Sequence, residues 1–276
     1  MKILIGCWLY QNYTGSECSF YELTTALTSL GHDVSVFAIN TGDPLVSKTK
    51  NVTFETATGI LNKTYDHVIF SHGPVIWDKL KDVKSDRFTN IIRSEVLPHE
   101  APVINSKITN YVSIRPSIKE FIKQKFNIDS KVIYNPFDLE RFNKNICDTK
   151  REDKRRIVLF PGSLDYLRIQ PVSFLLNMAE DQNYIVRHVG RCDYNVKHPR
   201  FETIPSTTDI EKQYADCDIV SGIFLGRTSI EGLLCGKKVY QFDVDDKGNI
   251  LKHYWHKEDN LDKFNKINVA QEYLNL

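Results

Sequence analysis

Short apolar runs that end near a glycine and lead into helices recur along this chain, and that alternation restricts it to few folds. "KILIG" reads as a buried strand, "CWLYQNYTGS" as a loop, and Phe20, Leu23, Leu27 and Leu30 recur at helical spacing until Gly31 stops the helix. "DVSVFAI" follows as a second strand. Strand, helix, strand over about forty residues is a βαβ unit, which implies a right-handed crossover in a parallel sheet.

The pattern continues through "HVIFSHG", "FTNIIRS", "NYVSIR", the Pro-headed helix "PSIKEFIKQKF" and "SKVIYNP". After the charged stretch "DTKREDKRR" it starts again, with "IVLFPG", "PVSFLLNMAED", "YIVRHVG", "FETIPS", "TDIEKQYADC", "DIVSGIF" and "KKVYQFD". The expected fold is α/β, with two Rossmann-like parallel-sheet domains spanning 1–146 and 147–276 and joined near 144–155. A length of 276 residues and 41% hydrophobic content suit two cores. The end, "NLDKFNKINVAQEYLNL", reads either as a helix crossing back to the first domain or as a plain amphipathic terminus.

Composition removes several function classes. Thirty-six basic against thirty-five acidic side chains give a net charge of +1, so no global charge marks a nucleic-acid binder. Six cysteines show no C-x-x-C spacing, which favours reduced thiols in a cytoplasm. The expected location is cytoplasmic: the N-terminus is too short in apolar residues for a signal, and no apolar run reaches membrane-spanning length. His253-x-x-His256 lacks a third metal ligand in the sequence, so no metal is expected.

Open α/β sheets bind ligands beyond the carboxyl ends of their strands. Four glycine turns stand there: Gly15-Ser16, Gly162-Ser163, Gly190-Arg191 and Gly226-Arg227-Thr228. Near the last, Glu231 lies early in a short apolar helix. Thr228-Ser229-Ile230-Glu231 fits a capping box, in which the acid serves the helix; the alternative is that it serves a ligand.

With these turns, the chain resembles a retaining GT-B glycosyltransferase of family 4 type over nearly its whole length, with a bacteriophage DNA-modifying member as one reading. "TGSECSFYELTTALTSLGHDVSVF" is similar to that family's opening. "YVSIRPSIKEFIKQKFNIDSKVIYNPFDLERF" is similar to its interdomain segment, with Asn135, Asp138 and Phe142 at matching places. The resemblance implies a cleft between the domains and a UDP-sugar as donor substrate, with no cofactor and no metal. It places the donor at Gly15, Ser16, Gly162, Ser163, Arg168, Gly190, Gly226, Arg227, Thr228, Ser229 and Glu231, with the diphosphate at Arg168 and the amides of Gly226 to Ser229 and the ribose hydroxyls on Glu231. The chain also departs from the family. Ser163 replaces one cation, Arg168 stands where the family has lysine, and Ile223 replaces the glutamate that contacts the donor sugar. A guanidinium can hold a diphosphate by forked hydrogen bonds, whereas isoleucine accepts none, which opens the donor to a smaller sugar such as a pentose.

Catalysis in such an enzyme leans on the leaving diphosphate, with Arg168 stabilising its charge. His72, Glu95 and their neighbours Arg93, Ser94 and His99 follow strand-like runs of the first domain, where acceptor contacts belong. From Lys79 to Lys131, eleven Lys or Arg face six acids, a local excess of five that suits phosphates. One expected acceptor is therefore 5-hydroxymethylcytosine in duplex DNA. The alternatives are a cytoplasmic transferase acting on a cell-surface polysaccharide precursor and a non-catalytic nucleotide-sugar binder. No basic amphipathic helix is evident, so no stable membrane association is expected.

Overall fold

The computed structural model describes residues 1–95, 98–147, 155–207 and 209–276. Most of the charged stretch expected to join the domains, 148–154, lies outside them. The described chain divides into unit 1, Met1–Phe137 with Asp262–Leu276, and unit 2, Asp138–Leu261. The sequence reading divided it at 146/147. The contacts divide it at 137/138 and again at 261/262, because the C-terminal helix packs on the first sheet's helix layer.

Unit 1 runs β1 (Lys2–Tyr10), α1 (Gly15–Ser29), β2 (Asp33–Thr41), α2 (Leu45–Lys48), β3 (Thr53–Phe54), α3 (Ala57–Leu61), β4 (His67–Ser71), α4 (Gly73–Leu80), β5 (Phe88–Ile92), β6 (Ile108–Ser113), α5 (Pro116–Phe126) and β7 (Lys131–Val132). All seven strands are parallel, in the order β3-β2-β1-β4-β5-β6-β7. Period-2 alternation splits β1 between two cores. Ile3 and Ile5 meet Phe20, Leu23 and Leu27 of α1 on one face, and Leu4 meets Phe70, Ile76 and Leu80 on the other. Gly31 ends α1 with φ +83°, so that the amides of Gly31 and His32 reach the Thr28 and Leu27 carbonyls.

Unit 2 runs α6 (Lys144–Cys147), β8 (Arg156–Pro161), α7 (Ile169–Gln182), β9 (Tyr184–Val189), β10 (Phe201–Ile204), α8 (Ile210–Ala215), β11 (Ile219–Ile223), α9 (Arg227–Leu234), β12 (Lys238–Val244) and β13 (Ile250–His256). Its order is β10-β9-β8-β11-β12-β13, parallel except for β13, which pairs antiparallel with β12. Val158, Phe160, Val172, Leu175, Val186 and Phe242 form its core.

The chain then returns to unit 1 through a 3-10 turn at Asp262–Phe264 and α10 (Lys266–Leu274). Val269, Ala270 and Tyr273 bury themselves in the α1 side of the unit 1 core, and Asn265 caps the helix by accepting from the Ile267 amide at 2.9 Å. The terminal helix belongs to unit 1. Among the described residues, no helix is long and apolar enough to cross a membrane.

Candidate functional site

Each sheet has one place where the strand order reverses, and each unit gathers its polar side chains there. In unit 2 the reversal lies between β8 and β11. In unit 1 it lies between β1 and β4.

In unit 2, Gly162 follows β8 and Gly190 follows β9, both in backbone conformations that L side chains avoid, with φ +111° and +145°. The two glycines abut: a Cβ on Gly190 would lie 2.1 Å from the Gly162 carbonyl oxygen, while one on Gly162 would meet nothing within 4 Å. His188, buried in β9, holds that same carbonyl from Nε2 at 2.8 Å, and its Nδ1 faces Thr203 Oγ1 at 3.0 Å. Burial lowers its pKa, so the ring is neutral, with the proton on Nε2. Ser163 follows half-buried, and Arg168 caps α7 with its guanidinium paired to Asp165.

The α9 turn differs from the capping-box reading. The N-cap is Gly226, not Thr228, and no side chain caps it. Glu231 is buried, and its carboxylate turns to two other donors: Tyr214 Oη at 2.7 Å and Arg227 Nε at 2.7 Å. The capping box fails because the helix is capped at Gly226, two residues before Thr228, which leaves the carboxylate to its partners from α8 and from one turn back on α9. The Arg227 side chain lies over Phe142, its Cζ 6.0 Å from the ring centroid, so only its backbone amide remains for the role expected of it. Ser229 is buried and donates to the Phe224 carbonyl at 3.3 Å. The first-turn amides of Arg227, Thr228 and Ser229 have no intrahelical acceptor. Ile223, at the end of β11, packs in the core.

The interdomain-type motif separates between the units. Asn135 is buried in unit 1 and accepts from Arg93 Nη1 at 3.0 Å. Asp138 and Phe142 belong to unit 2, where Asp138 Oδ1 accepts from the Glu140 amide at 2.9 Å and Phe142 meets the Tyr214 ring edge-on at 6.2 Å.

Unit 1 opens α1 at Gly15 and Ser16, and Gly15 is exposed with open space around it. The loop before them is held by Glu17, which sequence reasoning missed. One of its oxygens accepts from the Gln11 and Asn12 amides, both at 2.9 Å, and the other from Thr14 Oγ1. Thr14-x-x-Glu17 is a capping-box spacing, the signal that could have found it.

Across the reversal, His72 caps α4 in the left-handed region, with φ 56° and ψ 48°. Its Nδ1 faces Ser71 Oγ at 3.1 Å and its Nε2 lies 3.4 Å from Glu100 Oε1. Burial, Arg93 and His99 bring its pKa down to about 4. Burial pushes Glu100 up to about 7, against the Arg93 amide and the charges of Arg93 and Arg115. Arg93 is buried over the Phe20 ring, 4.3 Å from its centroid, and donates from Nε to Ser71 Oγ at 3.2 Å. Ser94 follows it, half-buried. His99 stacks on Trp8 with centroids 5.6 Å apart. Glu95 stands apart from this group, tied to Arg115 and to Ser117 Oγ. Glu100 and Trp8 went unread because nothing in their local sequence distinguishes them.

His253 and His256 of β13 lie three residues apart on a strand, which puts them on opposite faces. His253 Nδ1 faces Tyr240 Oη at 2.6 Å, and its ring packs on Phe174 at 4.6 Å.

No protein-family model matches the chain, and no curated protein matches it. Solved structures do. Anabaena Alr3699/HepE in complex with UDP-glucose is similar at 16% identity, covering 87% of this chain and 79% of its own, with a TM-score of 0.66. A glycosyltransferase from Rickettsia africae ESF-5 is similar at 16% identity, covering 86% and 78%, with a TM-score of 0.59. An alpha-glucosyltransferase in complex with UDP-glucose and DNA containing an abasic site is similar at 10% identity, covering 87% and 79%, with a TM-score of 0.59. At these identities the likeness establishes a fold: two Rossmann-like units of the GT-B type.

Proposed function

We propose that the chain is a cytoplasmic glycosyltransferase that moves a sugar from a UDP-sugar to an acceptor hydroxyl, with retention of configuration. The observation that carries this reading is the β8/β11 reversal of unit 2. There an open glycine backbone at Gly162, an α9 N-terminus and a buried carboxylate anchored by Tyr214 and Arg227 lie at one sheet end. The α9 amides and helix dipole suit a diphosphate, and Arg168 adds a forked cation. Each Glu231 oxygen keeps a lone pair beyond its present donor, enough for two vicinal ribose hydroxyls. A protein that already pins this carboxylate from two sides loses little entropy when a ribose docks.

The reading requires no metal and no further cofactor, because the diphosphate itself takes the acceptor's proton as it leaves. Ile223 offers no hydrogen bond to the transferred sugar, which favours a small donor such as a pentose. For the acceptor, 5-hydroxymethylcytosine in DNA is supported by the solved alpha-glucosyltransferase with DNA and by the lysines of α4 and α5. A saccharide acceptor is favoured by a specific observation in unit 1. Arg93 and Arg115, two of the eleven cations behind the DNA expectation, are buried; the Arg115 guanidinium pairs with Glu95, and that of Arg93 donates to Ser71 and Asn135.

The test is UDP release from a panel of UDP-sugars, pentoses included, with 5-hydroxymethylcytosine duplex DNA, with free saccharides, and with neither. DNA-dependent release with a matching mass gain on the base supports the first acceptor, and saccharide-dependent release the second. Binding of UDP without release under any condition marks a non-catalytic binder. The anomeric configuration of the product, read by NMR, decides retention.

A further inference from the structure

The strand-end cluster of unit 1 is wired in one direction. Arg93 Nε donates to Ser71 Oγ, and the serine's own hydrogen is available to His72 Nδ1 at 3.1 Å. With Nδ1 accepting, the neutral imidazole carries its proton on Nε2, the nitrogen that faces Glu100 Oε1 at 3.4 Å. The Arg93 amide donates to the other oxygen, Oε2, at 3.1 Å. One oxygen of this carboxylate therefore takes a backbone amide, and the other is faced by the imidazole. Arg93 in turn is fixed by Asn135 and the Phe20 ring, and His72 is held in a backbone region that costs a non-glycine residue energy. Structure of this kind holds a carboxylate in place. It is more than a buried ion pair requires.

The surroundings indicate what that carboxylate meets. The charges of Arg93 and Arg115 both act on Glu100, Arg115 is also tied to Glu95, and His72 is neutral, so the cluster is balanced in charge when Glu100 is ionised. A balanced site does not select a phosphate. Beside it, the Trp8 ring is stacked by His99 and met edge-on by His72, with centroids 5.6 Å and 6.1 Å away. A rigid aromatic next to a lone, pre-aimed acceptor suits an uncharged ring that carries a hydroxyl donor.

We propose that Glu100 receives the hydroxyl of the sugar acceptor, with Trp8 as the surface on which the acceptor's ring rests and the Arg93–Ser71–His72 chain positioning the carboxylate. This assignment rests on the glycosyl-transfer reading. It adds a residue that touches substrate to the unit in which His72 and Glu95 were expected to act, and it makes His72 a positioning residue.

Kinetics on the intact protein test it, using UDP-glucose or the best donor of the panel and whichever of 5-hydroxymethylcytosine DNA and free glucose supports turnover. Glu100→Gln keeps the shape of the side chain and an acceptor for the Arg93 amide. It should raise the acceptor KM about tenfold or more, the weight of a hydrogen bond to a charged group, and leave the donor KM unchanged. Ser71→Ala should give a smaller rise in the same constant and turn the His72 ring to its other tautomer, visible by 15N NMR. Wild-type kcat/KM for the acceptor should rise with pH through about 7 and flatten in Glu100→Gln. The groups facing Glu100 are His72, Arg93 and Arg115, with His99 facing His72; none of the arginines titrates there. Unchanged acceptor KM and pH profile in a folded Glu100→Gln overturn the assignment alone. Absence of UDP-sugar binding in the wild type overturns the functional reading and the assignment with it.

Discussion

Gly190 and Gly162 share a positive φ, but alanine should affect them very differently. A Cβ on Gly190 would lie 2.1 Å from the Gly162 carbonyl oxygen, a backbone atom that His188 also holds. Gly190→Ala is therefore expected to cost more than about 4 kcal/mol of stability, in the range reserved for buried steric failures. Gly162→Ala meets open space and bears only the cost of its dihedral, about 1–3 kcal/mol. Urea denaturation of the two variants measures the difference; equal losses would mean that the two strand ends do not abut. The same scale sets the pH response. Burial lowers the His67 pKa to about 3 and that of His72 to about 4, below the ordinary 6.5. The unfolded chain binds these protons first, so stability falls as pH drops below 6.5, by up to about 1.4 kcal/mol per pH unit for each histidine. Glu100 acts oppositely: raised from 4.5 to about 7, it takes its proton in the folded state first and favours folding as pH falls through that window. Between pH 6.5 and 4.5 two histidines oppose one glutamate. Denaturation at pH 5 and pH 6.5 should show a net loss, and His67→Gln should reduce it.

At the scale of elements, the returning C-terminal segment carries weight beyond its length. Phe264 is fully buried against Tyr134 and Phe137, and the Phe137 amide donates to its carbonyl at 2.8 Å while the Lys266 amide donates to Phe137 at 3.0 Å. Phe264→Ala should cost about 3–5 kcal/mol, the usual loss for a buried aromatic. Hydrogen exchange should locate that loss in α1 and α10 of unit 1, since Val269, Ala270 and Tyr273 share the α1 core. Loss confined to residues 262–276 would show that α10 is an appendage. The sequence left open whether this segment returns to the first domain, because an amphipathic face states that something covers it without saying what. The α9 turn illustrates the same limit. Thr228 and Glu231 have capping-box spacing, yet Tyr214, seventeen residues upstream of Glu231, takes the carboxylate.

For the molecule as a whole, the donor reading makes a regional prediction. UDP at about a hundred times its Kd should stabilise the protein by about 2.7 kcal/mol. Added hydrogen-exchange protection should fall on the turns at 162–168, 190–193 and 224–231 of unit 2, with the β1–α1 loop of unit 1 protected only if Gly15 and Ser16 also meet the donor. Protection confined to other segments would remove the nucleotide from this site. The βαβ alternation and the parallel strands were legible in the chain because a strand buried on both faces and a helix buried on one leave different apolar periods. The glycine turns were legible for a related reason, since strand ends that open onto helices favour residues tolerant of unusual φ.

What the sequence by itself determined is therefore local and periodic: which segments become strands or helices, where they stop, and that two sheets form. Only the tertiary structure decided that the chain closes unit 1 with its last helix, that Asn135 and Asp138 serve different units, and that Glu100, Ser71, His72 and Arg93 gather in one cluster. The reason is physical. Periodicity records burial, which each residue experiences alone, whereas a partner is set by the sheet order, which brings residues far apart in sequence to one strand end.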